Sequence, residues 1–227
     1  MAQRQTLTRV ALKTPRAAAI AGIVFSILLI LIFWLLRISV PADPLEPGTW
    51  LATSSRSVSL ALNMVPFAGI AFLWFLGALR DRLGPQEDRF FATVFFGSGL
   101  LFLAMFFTAA AIIGALLLAF ASRSDQPIST DTFQFARAVA FNIMNVYAVK
   151  MAGVFMFSTS TVVIYTKIAP LWIAILGYAL ALVLLLGSYS IAWGFVVLPV
   201  WVFLISVYIF FDNFHLIDQI HQDSTNK

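Results

Sequence analysis

The chain has 227 residues, of which 61% are hydrophobic and only 11% charged, with a net charge of +4 and no cysteine; its mean hydropathy is +0.95. A soluble domain has about a quarter of its residues charged, so this apolar load excludes a water-soluble fold. The lack of cysteine excludes disulfides, thiolate metal sites and a cysteine nucleophile. The basic residues are scattered without a five-residue cluster, which argues against nucleic acid and for orientation in a membrane.

Residues 1–16 (MAQRQTLTRVALKTPR) carry Arg4, Arg9, Lys13 and Arg16 and no acid, and an apolar run over 17–36 follows. A secretory h-region is about 7 to 15 residues long, so the longer run is expected to be an uncleaved first span behind a basic cytoplasmic segment. Ala18, Gly22 and Ser26 recur every four residues, a stripe that lets a neighbouring helix come close. Three prolines in SVPADPLEPGTWLATSSRS (39–57) predict a loop. A second span is predicted over 58–79, with Asn63 inside it and a kink near 62–66, where Pro66 frees a carbonyl.

RDRLGPQEDR (80–89) sets three arginines and three acids around Gly84-Pro85; it reads as a solvated loop with mutual ion pairs, or as a partner-docking site. A third span over 90–121 would reach about 48 Å at 1.5 Å per residue, against a hydrocarbon core of about 30 Å, so tilt or projecting ends must absorb the excess. The polar loop SRSDQPISTDT (122–132) precedes a fourth span within 133–165. Lys167 and Pro170 mark a short turn before a fifth span over 169–186. GSYSIAWG forms an aromatic turn, and a sixth span covers 195–211 with Pro199 inside it. The expected organisation is thus a basic segment 1–16, a transmembrane domain 17–211 and a polar cytoplasmic tail 212–227.

Nine basic residues (Arg4, Arg9, Lys13, Arg16, Arg80, Arg82, Arg89, Lys167, Lys227) fall on one side of this layout and four (Arg37, Arg56, Arg123, Arg137) on the other. That bias predicts both termini in the cytoplasm. Trp34, Trp50, Trp74, Trp172 and Trp193 fall near span ends, where interfacial anchors belong.

Lys150, within NIMNVYAVKMAGVFMF (142–157), is left over. On a helical wheel with Asn142 at zero and 100° per residue, Asn145 at about 300°, Ser160 at about 0°, Gly153 at about 20°, Lys150 at about 80° and Tyr147 at about 140° share one broad side. Met144, Ala148, Met151, Ala152 and Phe155 occupy the other. An ionised lysine at mid-bilayer costs about 2.5 to 3.5 kcal/mol on insertion scales, and all ten acids lie in loops or the tail. Its compensation must come from Asn63, Asn142, Asn145, Tyr147, a freed carbonyl, water or an anionic ligand. Alternatively the hydrocarbon begins just after Lys150 and residues 151–166 cross it alone, over about 24 Å.

Other clusters carry less chemistry. His215, Asp218 and His221 spread over about 120° of a helix, too loose for a metal site. Ser158, Thr159, Ser160 and Thr161 are expected to bond their own backbone carbonyls or a neighbouring helix, with no base nearby to make one a nucleophile. Intramembrane carboxylates and histidines, the usual proton relays, are missing from the predicted spans.

The expectation is an all-α integral membrane protein of six transmembrane helices in one bundle, in a bacterial cytoplasmic (inner) membrane, without cofactor, metal or catalytic residues. One functional expectation is a small facilitator or channel-like subunit whose pathway is lined by Lys150, Asn142, Asn145, Tyr147 and Asn63. The alternative is a non-catalytic scaffold or assembly subunit of a membrane complex, or a homo-oligomer, with the bilayer as its constant partner. A lipid-handling enzyme is third, for want of an acid–base pair.

Overall fold

Apolar helices bond every main-chain N–H and C=O within one segment, which is why long apolar runs with no water to turn to become helices. The computed structural model describes residues 2–41, 43, 50–80, 89–121, 130–187 and 194–225; side chains of residues 2–16, 52, 89–90, 130 and 212–225 lie outside that description. Among the described residues all regular structure is helical: α1 (Ala2–Ser39), α2 (Trp50–Thr53), α3 (Ser55–Arg80), α4 (Arg89–Ala121), α5 (Thr130–Asn142), a π-helical segment (Ile143–Ala148), α6 (Val149–Thr166), α7 (Leu171–Leu186) and α8 (Gly194–Thr225). Five stretches are long and apolar enough to cross a membrane: Ala17–Ser39, Ser55–Arg80, Phe91–Ala121, Asp131–Thr166 and Gly194–Phe211. The fifth predicted span, over 169–186, corresponds to α7, which has 16 residues and covers about 24 Å.

The predicted spans therefore coincide with helices, but the ends differ. The first helix begins at Ala2, through the basic segment, and the last continues to Thr225. Helix α3 runs from Ser55 through Pro66, and α8 passes through Pro199. The fourth span is one run of helix over 130–166 interrupted by the π segment. The charged loop (residues 81–88), most of SRSDQPISTDT (122–129) and the aromatic turn (188–193) fall outside the described residues, as do the side chains of His215, Asp218 and His221.

Contacts between helices run in opposite numerical order, as antiparallel neighbours require. Gly22 of α1 meets Phe75 of α3 while Phe25 meets Phe72. Gly99, Gly69 and Gly114 of α4 and α3 meet Leu76, Phe107 and Leu62 in turn across the pair. Helix α1 lies between α3 and α8, α6 lies between α4 and α7, and α3 packs on α4. The centre is aromatic: Phe72 lies 4.6 Å from Phe25, 5.6 Å from Phe102 and 5.3 Å from Phe155, ring to ring, and Phe155 in turn lies 5.3 Å from Phe95. These rings join α1, α3, α4 and α6. Because lipid tails are as apolar as the core, such close packing, rather than water exclusion, holds membrane helices together.

Small residues set the helix spacing. Ala18, Gly22 and Ser26 are buried, and the backbone at Gly22 lies against Ser206 of α8 and Phe75 of α3. The neighbours admitted by that stripe are this chain's own helices. Ser26 Oγ donates to Gly22 O at 2.7 Å. Gly177 on α7 has the same function, facing Ser160 of α6 and the fully buried Trp201 of α8. Trp201 Nε1 donates to Ile173 O at 3.3 Å.

Trp34, Trp74 and Trp172 are exposed on the outside of the bundle, as anchors should be, but Trp50 is not. Helix α2 folds inward and buries Trp50 with Leu51, Val58, Leu116 and Phe133 in a second cluster. The outer surface carries a wide apolar belt that includes Ile20, Phe67, Trp74, Leu118, Ile175 and Leu186, far larger than the patches water-soluble monomers tolerate.

A Cβ at Gly177 collides with Ser160 Oγ and the Trp201 indole, whereas a Cβ at Gly77 meets nothing within 4 Å. Gly177→Ala is expected to lower stability in detergent micelles by about 1 to 3 kcal/mol, as overpacking does. Gly77→Ala should leave it unchanged or raise it by up to about 1 kcal/mol. Thermal unfolding of the two variants checks both.

Candidate functional site

Lys150 is the second residue of α6 and is half-buried. The last carbonyls of any helix have no N–H one turn ahead to receive. At the end of α7, the N–H of Gly187 donates to Val183 O at 2.9 Å. Lys150 Nζ donates to Leu185 O at 2.8 Å. The ammonium therefore closes the C-terminal end of a neighbouring helix, where the helix dipole presents partial negative charge. Such a charge-assisted bond is worth about 1.5 to 3 kcal/mol.

Gly153, one turn on from Lys150, makes this reach possible. A Cβ there would lie 3.2 Å from Ala181 O and 3.0 Å from Leu185 Cγ, so the missing side chain lets the α7 backbone come close. Thr161 Oγ1 and Tyr178 Oη share a hydrogen bond of 2.7 Å farther along the same seam, and Phe157 packs on the Tyr178 ring at 4.7 Å. The position along the bundle follows from the neighbouring rings. Phe155 touches Phe72, which stands eight residues from Arg80; Lys150 is five residues beyond Phe155, or about 20 Å from the Arg80 end in all. That places the α7 terminus and its lysine cap well inside the length of α3.

The remaining residues of the predicted polar side go elsewhere. Asn142 is exposed and donates to Ala138 O at 3.1 Å; Asn145 is half-buried and donates to Phe141 O at 2.9 Å. Tyr147 is 56% exposed. Asn63 is exposed on α3. Ala148, Ala152 and Phe155, from the opposite side of the wheel, are buried. The polar side upstream of Lys150 thus turns outward, while Gly153 and Ser160, which the wheel placed beside Asn142, are buried. The π segment accounts for this. Each extra residue accommodated in a helix rotates everything beyond it by about 100°, so one continuous wheel cannot describe both sides of residues 143–148.

The hydroxyl cluster behaves as expected: Ser158, Thr159, Ser160 and Thr161 donate to the carbonyls of Val154, Phe155, Met156 and Phe157 at 2.7 to 3.2 Å. Their donors are spent locally.

Arg137 was counted only as an outer-side charge, yet it is 5% exposed. Its Nη2 donates to Pro41 O at 2.8 Å, and its guanidinium lies 6.0 Å from the Trp50 ring and 5.9 Å from the Phe133 ring. It also lines a partly open cavity of about 160 Å³ among α1, α3, α4 and the α5–π helix. Phe133 precedes it by four residues, the spacing that puts two side chains on one helix face; that was the available signal. The position of Trp50 depends on the fold of α2 and had no local signal.

Lys150→Met should expose the Leu185 carbonyl and lower stability by about 1.5 to 3 kcal/mol, with Lys150→Arg recovering a large part of the loss, both read from thermal unfolding in micelles. Comparison with protein-family models, characterised proteins and solved structures finds no match to this chain.

Proposed function

We propose that this chain is a non-catalytic assembly subunit of a membrane protein complex, which receives a transmembrane helix of another chain on the outward face shared by α1 and α3. The observation that carries the reading is the placement of Asn63. It is exposed, at a point about 25 Å from the Arg80 end of α3. Polar side chains within membrane segments as a rule face the bundle interior or a partner. An amide turned outward calls for an acceptor or donor from outside the chain.

The surface around Asn63 suits a helix. Asn63, Phe67, Ile70 and Trp74 are spaced four, three and four residues apart and so share one face; all four are exposed. Below Asn63 that face borders a groove of about 620 Å³ with Ala17, Ala21 and Ala71 among its lining, and with Phe67 and Trp74 at its side. Ala17 and Ala21 are four residues apart, the small-residue spacing that permits close helix approach. The matching partner is an apolar helix with its own small residues and one polar side chain level with Asn63. A hydrogen bond of this kind contributes about 0.6 kcal/mol and at most about 1.7; packing along the groove supplies the rest.

The facilitator reading, with a path along Lys150, Asn142, Asn145, Tyr147 and Asn63, is the less supported one. The ammonium is bonded to Leu185 O, the asparagines on α5 and the π segment bond to their own helix, and the centre of the bundle is filled by phenylalanine rings. We place the subunit in the cytoplasmic membrane with six spans and both termini on the cytoplasmic side. The bias of Lys and Arg supports the orientation. Helix α7 is the fifth of these six spans, its shortness met by local thinning or by the Lys150 cap.

A photoreactive benzoylphenylalanine at Ile70, in native membranes, is expected to give a protein adduct of one defined mass that Asn63→Leu reduces several-fold. The same probe at Ile175, exposed on α7, should give lipid adducts only. Lipid adducts alone at Ile70, or solute flux through proteoliposomes containing only this chain, would contradict the proposal.

A further inference from the structure

On the reading of the α1–α3 face as an assembly surface, we infer that the helix it receives is α3 of a second copy of this chain, the two copies pairing as a parallel dimer through Asn63. Among the described residues the exposed Asn63 amide has no hydrogen-bond partner, whereas Asn142 and Asn145 each donate to a carbonyl of their own helix. A primary amide carries an acceptor oxygen and two N–H donors, so it complements a copy of itself. A carboxylate or an ammonium at this point would repel its own copy; an amide does not.

Insertion fixes the level at which the two amides meet. Copies of one chain enter a membrane in one orientation, so a two-fold axis relating them runs along the membrane normal and sets each residue beside its counterpart at the same depth. The polar side chain required level with Asn63 is thereby supplied by Asn63 of the second copy. Pro66, close to one turn on, is also exposed and has no N–H to give to Leu62 O. Each amide donates one N–H to the oxygen of the other and keeps its second for a Leu62 carbonyl freed in this way.

The exposed side of α3 has the spacing of paired helices. Ser59, Asn63, Pro66, Ile70 and Leu73, all exposed, recur at alternating intervals of four and three residues, the repeat that keeps one helix face against another. A single asparagine in such a seam specifies the register and the number of strands. Beside the seam, the groove with Ala17, Ala21 and Ala71 in its lining leaves room for the second α3 to approach α1 closely, as small residues permit. By symmetry each α3 then occupies the groove of the other copy.

The chain has no cysteine, so a single introduced cysteine reports on its own counterpart. Helices packed at about 8 to 10 Å bring facing Cα atoms within the roughly 4.4 to 6.8 Å that a disulfide spans. Oxidation in native membranes is expected to convert Asn63→Cys and Ile70→Cys to a species of twice the 25.1 kDa chain mass, and to leave Ile175→Cys, on α7, as monomer. In liposomes containing only the full chain, energy transfer between labelled copies should report association about 3- to 20-fold weaker for Asn63→Leu and close to wild type for Asn63→Gln. No doubled-mass species at either α3 position, equal yield at Ile175, or unchanged association in Asn63→Leu would overturn the dimer. The benzoylphenylalanine probe at Ile70 separates it from the assembly reading on which it rests: an adduct of twice the chain mass supports the dimer, an adduct with a protein of any other mass overturns the dimer and leaves the assembly reading standing, and lipid adducts alone end both.

Discussion

A helix that ends among its neighbours leaves carbonyls that no turn of its own can satisfy, and in hydrocarbon no water completes them. Helix α7 ends in this way at Leu186, and the ammonium of Lys150 on Leu185 O meets the need with one of the few cations placed within an apolar span. The seam between α6 and α7 is arranged around this contact. Gly153 lets the backbones approach, Gly177 and Ser160 keep them close, and the Thr161–Tyr178 hydrogen bond joins the helices near the other end. A lysine in a span is costly, and so is an open helix end; placed together, each offsets the other.

Much of the architecture was legible in the sequence because hydrocarbon imposes a coarse rule. Uninterrupted apolar runs marked five long helices and α7, and the four-residue stripe of Ala18, Gly22 and Ser26 marked a close contact between helices. The local bonding of Ser158 to Thr161 followed from the habit of hydroxyls in helices. The partner of Lys150 was not legible as a residue. A search for acids and amides looks at side chains, whereas the partner is a backbone carbonyl thirty-five positions away whose availability depends on where α7 stops.

The π segment explains the other difference. A wheel drawn at a single angle assumes unbroken α-helical geometry, and Ile143–Ala148 breaks that assumption between Asn142 and Lys150. Residues that seemed to share a face are turned apart, so Asn142 and Tyr147 point outward while Gly153 and Ser160 are buried. Trp50 was misplaced for a related reason: position near a span end suggests an interface, but α2 folds inward and buries it. Outward amides, a filled aromatic centre and a capped helix end together favour an assembling subunit over a conduit.

The central claim is that the Lys150 ammonium is committed to the end of α7 rather than to a passing solute. Rotational-echo solid-state NMR on the chain in lipid bilayers, labelled with ¹⁵Nζ-lysine and 1-¹³C-leucine, tests it directly. The account predicts strong nitrogen–carbon dephasing, consistent with the 2.8 Å contact between Nζ and Leu185 O, which disappears in Lys150→Met. Absence of dephasing in the wild type would contradict it.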